Sequence, residues 1–139
     1  MIDDVIAKWH AFVRGELVDG LETLLAEDVV FYSPIVFTPQ AGKVITTMYL
    51  QAAVSVLAGR SSGSEAVAPT TFRYTKDVRS GDIAVLEFET TIDGKLVNGV
   101  DIITCNAADQ IVEFRVMLRP LQAVNLVHQR MGELLQQQR

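Results

Sequence analysis

Two runs of strand-forming residues, 83–92 and 95–105, meet at Asp93-Gly94. An Asp-Gly pair between apolar runs is the strongest short-range hairpin signal, because the tight turn needs left-handed backbone at both central positions. The second run is unusual in its faces. Alternate residues of a strand point to opposite sides, so Val97, Gly99, Asp101, Ile103 and Cys105 share one face, and Leu96, Asn98, Val100, Ile102 and Thr104 share the other. Both faces are mostly apolar, which predicts a strand covered on both sides, by helices on one and by a partner subunit on the other. Asp101 breaks the pattern. A carboxylate amid apolar residues is costly unless it is paired or neutral. It is either a pocket acid with a raised pKa or a structural group bonded to backbone or to an arginine.

The rest of the chain supplies the covering elements. Residues 2–14 read as an amphipathic helix, with Ile2, Val5, Ile6, Trp9, Phe12 and Val13 at three- and four-residue steps and Gly15 at its end. Leu17, Leu21, Leu24 and Leu25 predict a second, shorter helix, followed by a strand at 29–32 that Pro34 stops. A third helix over 44–57 is closed by Gly59. Residues 60–69, with Ser61-Ser62-Gly63-Ser64, read as a mobile loop. Strands at 72–78, 83–92, 95–105 and 111–118 then form an antiparallel meander. Pro120 suits the first position of a last helix, in which Leu121, Val124, His128, Met131 and Leu135 are spaced by three and four. The tail 136–139 is expected to fray. Helices followed by a meander predict an α+β fold with the helices on one face of the sheet.

A chain of 139 residues has the size of one domain, and an apolar fraction of 49% is ample for a core. The net charge of −5, with its cations scattered, argues against a nucleic-acid partner. The uncharged stretch 44–59 is 16 residues long and carries two Thr, a Gln and a Ser, short of the ~20 apolar residues of a membrane span. Asp3 and Asp4 stand where a signal peptide needs positive charge, and Cys105 is the only cysteine, so a cytoplasmic protein without disulfides is expected.

Other polar residues carry weaker signals. Glu87 and Glu89 share a strand face, yet Glu113, Arg115 and Arg119 alternate in the same way, which favours a cross-strand charge ladder over a metal or acid–base pair. His10 and His128 fall in no metal or triad motif, and residues 60–63 lack the spacing of a phosphate loop. No metal and no cofactor is expected.

From Trp9 to Gly42 an ordered set of short motifs appears: Asp19-Gly20, then Leu24-Leu25-Ala26-Glu27-Asp28, then Phe31-Tyr32-Ser33-Pro34, then Pro39 and Gly42. This set resembles the nuclear transport factor 2-like superfamily, in particular its ketosteroid isomerases and SnoaL-like polyketide cyclases. The order of elements agrees through residue 118, and the resemblance treats 1–139 as a single such domain. It implies a cone in which a curved, mostly antiparallel sheet wraps three N-terminal helices, with a C-terminal helix added from Pro120. It also implies a deep apolar pocket and, as in many members, a homodimer formed through the outer face of the sheet.

Carried over residue by residue, the ketosteroid isomerase oxyanion tyrosine falls on Trp9, the general base on Ser33 and the protonated aspartate on Asp101. With one of three groups kept, ketosteroid isomerase activity is not expected, since a serine without an activating base cannot abstract a carbon-bound proton at neutral pH. Limonene epoxide hydrolases use an arginine where Gly99 stands, and scytalone dehydratases use pocket histidines that have no clear counterpart. The cyclases need one pocket aspartate, which Asp101 supplies. The resemblance thus implies a cofactor-free cyclase, isomerase or hydratase for a small hydrophobic oxygenated molecule. Asp101 would be catalytic, and Trp9, Val13, Phe31, Ser33, Tyr49, Phe88 and Phe114 would line the pocket. The alternatives are a binding protein without chemistry and a dimerisation module. Pairing through Leu96, Val100 and Ile102 is expected in either case.

Overall fold

A computed structural model describes residues 1–17, 20–59 and 71–137. Three helices lie on a six-stranded sheet: α1 Ile2–Val13, β1 Leu25–Tyr32, β2 Gln40–Ala41, α2 Lys43–Leu57, β3 Arg73–Ser80, β4 Ile83–Ile92, β5 Lys95–Cys105, β6 Ile111–Arg119 and α3 Leu121–Gln137. The strand order is β2-β1-β6-β5-β4-β3. The meander β3 to β6 is antiparallel throughout, whereas β1 joins its edge parallel to β6. The expected mobile loop at 60–69 lies outside the described residues.

Local chemistry accounts for the element ends. Gly15 takes φ 77° and Gly59 φ 69°, so each supplies the left-handed residue that stops a helix. At the β4–β5 turn Asp93 has φ 51° and Gly94 φ 78°, the double left-handed geometry that the Asp-Gly pair anticipated. Pro120 stands one residue before α3 rather than inside it, and its carbonyl accepts hydrogen bonds from the amides of Ala123 and Val124. α3 runs on to Gln137, further than the expected frayed tail allowed.

Two expectations need correction. The second of the three N-terminal helices is a single 3-10 turn, Leu21–Thr23, and β1 already begins at Leu25. The leucine spacing misled because a tight turn running into an irregular strand also puts Leu21, Leu24 and Leu25 in the core. The backbone of Leu24 shows the strand character directly, accepting a bond of 2.8 Å from the Ile111 amide on β6. On α3, the inward face is Ala123, Val127 and Met131 with Leu134 and Leu135, while Leu121 and His128 are exposed.

The inner face of the sheet carries two joined cores. One packs Val5, Ile6 and Trp9 of α1 against Leu86, Ile103, Ile111 and Phe114. The other packs α2 and α3 around Phe88 and Val97. The charge ladder forms on the outer face, with cations from β3: Arg73 meets Glu89 at 2.9 Å and Lys76 meets Glu87 at 3.4 Å. Arg115 pairs with Glu113 on its own strand instead. Among the described residues no helix is long and apolar enough to cross a membrane.

Candidate functional site

Between the two cores the helices and the sheet leave a cavity of about 360 Å³, counted out to solvent at its mouth. Trp9 and Val13 of α1 form one wall, and Leu50, Ala53, Val54 and Leu57 of α2 another. The sheet contributes Tyr74, Phe88, Phe114, Val116 and Asp101, and Phe72 joins them from just ahead of β3. Nearly every lining atom is carbon, so the few polar atoms decide what the cavity can do.

Asp101 sits in the middle of β5, facing inward and only 6% exposed. Its neighbours across the sheet are Leu86 on β4 and Val116 on β6, both apolar. No cation reaches it among the described residues, and its hydrogen-bond partner is the Tyr74 hydroxyl, which donates to Oδ2 at 2.7 Å. Burial disfavours the charged carboxylate more than this single bond favours it, and the pKa is pushed up to about 7. The arginine-bonded alternative is therefore not what the structure shows.

Tyr74 is itself held. The Trp9 indole N–H donates to its oxygen at 2.8 Å. Indole has no acceptor, so the direction of the chain is fixed: Trp9 to Tyr74 to Asp101. Burial, and then the nearby Asp101 charge, push the Tyr74 phenol well above its ordinary value, so it serves as a hydrogen-bond donor that keeps its proton. Behind it the His10 ring meets the Tyr74 ring edge-on at 5.1 Å, and His10 Nε2 lies 3.6 Å from Asp77. Burial lowers the His10 pKa, with Asp77 opposing it. Asp77 is bound by Arg79, which also reaches Asp3 of α1, so this cluster ties α1 to β3 beside the cavity.

Of the residues expected to form the site, Trp9, Val13, Phe88, Phe114 and Asp101 come together at the cavity, and Phe31, Ser33 and Tyr49 are not among its lining residues. Phe31 lies behind Phe114 and stacks on Tyr49 at 5.5 Å. The Ser33 hydroxyl accepts from the amides of Ile35 and Val36 and so caps the local turn. Trp9 does not offer its N–H to the cavity, having committed it to Tyr74.

Tyr74 is the residue that sequence reasoning missed. Its face depends on a bulge: the β3–β4 register shifts between Tyr74 and Lys76, so that Tyr74 faces Phe88 instead of Glu89. Strict alternation from Asp77, which faces Leu86, would have turned Tyr74 outward. Its placement two residues after Phe72 was the only available hint.

His128 is exposed, and no group of three or more His, Cys, Asp or Glu among the described residues could hold a metal ion.

A curved sheet folded over helices, with one carboxyl in an apolar cavity, defines a pocket protein of the cystatin-like α+β class. The fold is that of nuclear transport factor 2-like and cystatin-like proteins, as its structural relatives show. A steroid delta-isomerase from Pseudomonas aeruginosa superposes with a TM-score of 0.83 at 28% identity, over 98% of this chain and 92% of that one. An uncharacterised bacterial protein with a cystatin-like fold from Silicibacter pomeroyi gives 0.68 at 27% identity, over 81% and 72%. A nuclear transport factor 2-like protein of unknown function from Mesorhizobium loti gives 0.66 at 18% identity, over 86% and 91%. No protein-family model matches the chain, and no curated protein matches it in sequence.

Proposed function

We propose that this protein is a cofactor-free acid–base catalyst that moves a proton on a small apolar molecule carrying a carbonyl group, with Asp101 as the proton-carrying residue. The observation that carries this reading is a buried carboxyl, the one among the described residues, hydrogen-bonded by Tyr74 and poised near pH 7 in an otherwise apolar cavity. A catalytic acid or base works best when its pKa lies near the working pH. The likeness to a steroid delta-isomerase supports isomerase-type chemistry.

Tyr74 occupies Oδ2, which leaves Oδ1 to exchange a proton with the ligand. In the ionised state Oδ1 takes a proton from a carbon beside the carbonyl. The C–H electron pair moves toward the carbonyl oxygen to give an enolate. As Asp101 gains the proton, its hold on the Tyr74 hydroxyl weakens, and that hydroxyl can turn to the enolate oxygen. Where the substrate also carries a β,γ carbon–carbon double bond the product is a dienolate, and return of the proton from Asp101 to the γ-carbon moves that double bond into conjugation, an isomerisation without metal or coenzyme. Ser33 has no part in these steps, because its hydroxyl is committed to the turn.

The test needs no knowledge of the natural substrate. Small cyclic ketones are incubated with the protein in deuterated water, and loss of the α-proton signal is followed by NMR. Wild type should accelerate exchange at least a hundredfold over buffer, and Asp101→Asn should abolish the acceleration while still binding the ketone. Tyr74→Phe should slow it about a hundredfold, the lower end of the range for one lost oxyanion donor. Binding without any acceleration would mean that the cavity carries ligands and does not transform them.

A further inference from the structure

We propose that Phe88, folded down over Gly99, is the specificity-determining residue of this cavity and restricts its ligand to a compact molecule of one or two rings. This rests on reading the cavity as the ligand site, but it concerns shape rather than proton transfer. Gly99 lies on the inner face of β5, two residues before Asp101, opposite Phe88 on β4 and Leu118 on β6. A Cβ on Gly99 would fall 2.3 Å from Phe88 Cζ and 2.7 Å from Leu118 Cδ2. Those two side chains occupy the space that a side chain at 99 would need. Gly99 has no left-handed backbone, unlike the turn glycines, so what its lack of a side chain provides is room.

The Phe88 ring occupies that room and becomes a partition. On one side it lines the cavity, with ring centroids 5.2 Å from Phe72 and 6.1 Å from Tyr74. On the other it packs in the core that Val97 shares with Ala123, Val127 and Met131 of α3. The cavity therefore ends at this ring, in a space that α3 closes from behind. Its 360 Å³ includes open solvent at the mouth, so the enclosed space behind the mouth is smaller still. A longer fused-ring ligand can enter only if Phe88 yields.

Two aromatic alcohols, 2-naphthol and 9-phenanthrol, test this by fluorescence titration of the full chain. They differ by one fused ring and share the single hydroxyl that Asp101 and Tyr74 can meet. Wild type should bind 2-naphthol at least tenfold more tightly than 9-phenanthrol. Phe88→Leu should shift that ratio at least tenfold toward the larger probe. Gly99→Ala, which drives the ring into the cavity, should weaken 2-naphthol at least fivefold, and adding Phe88→Leu to it should restore binding. Should Gly99→Ala fail to fold, Phe88→Leu decides alone. A ratio unchanged by Phe88→Leu overturns the inference, as does wild type that binds neither probe. Asp101→Asn, titrated in parallel, should keep the size preference. A kept size preference with no ketone exchange in wild type would refute the acid–base reading and leave this one standing.

Discussion

Asp101 is the residue on which burial and charge conflict most sharply. Its folded pKa is about 7, against 3.8 for an ordinary aspartate. Between those values the unfolded chain has released the proton while the folded chain still binds it, so stability falls as pH rises. The full contribution is present below the unfolded pKa and is lost as pH climbs through the folded one. The gap between the two values corresponds to roughly 4 kcal/mol, an upper figure because a relaxing site lets water in. Denaturant unfolding of wild type and Asp101→Asn should show the variant gaining relative stability from pH 4 to pH 7, then levelling off above about pH 8. A difference independent of pH would mean that Asp101 is ionised in the fold at all these values. Trp9 is the second instructive residue: its indole packs in the core and orients Tyr74, and neither role needs contact with a ligand.

At the scale of elements, β3 decides whether a site exists. Its residues Asp77 and Tyr74 are three apart yet face the same side, which an unbroken strand forbids. The bulge absorbs one residue, Thr75, and thereby turns Tyr74 toward Asp101. Deleting Thr75 should therefore straighten β3 and leave Tyr74 opposite Phe88. Carboxyl-carbon NMR should still find Asp101 titrating near pH 7 in this deletion variant. A return of Asp101 to the ordinary aspartate range would show that the bulge geometry itself, beyond the facing of Tyr74, closes the site. α3 works differently: it contributes no lining residue but backs Phe88, so the depth of the cavity depends on a helix that does not line it.

For the whole molecule, assembly turns on the outer face of the sheet. Leu96 is 76% exposed and Met117 53%, and Val85, Val100 and Ile102 lie beside them, half-buried. Val100 and Met117 are direct cross-strand neighbours, as are Val85 and Ile102, while Glu87 faces Val100, Arg115 faces Ile102 and Asn98 stands between Leu96 and Val100, so the apolar side chains are rimmed by polar ones. An exposed apolar cluster rimmed by polar residues is a mark of protein contact, and we propose that a second copy covers it. Light scattering at micromolar concentration should give about twice 15.3 kDa. Met117→Glu, placing a charge at the centre of the patch, should shift the protein to monomer. A wild-type monomer would remove the reason for two apolar faces on β5.

How much of this was legible in the residues follows from the range of the forces involved. The Asp93-Gly94 turn, the ends of α1 and α2, and the inward face of Val97, Asp101 and Ile103 depend on local backbone preference and period-two alternation, which act over a few neighbours. Ordered short motifs pointed to the superfamily in the same way. Tertiary structure alone decided the rest. The parallel union of β1 with β6 joins segments about eighty positions apart, with no turn to announce it. The conversion of a leucine-spaced helix into a 3-10 turn and strand followed from that union, because the backbone of Leu24 is claimed by Ile111. The bulge at Thr75 shifted one strand by one residue and changed which side chain meets Asp101. Spacing along a chain cannot register such a shift, since its cause is the curvature of a sheet whose strands must all pack against the same helices.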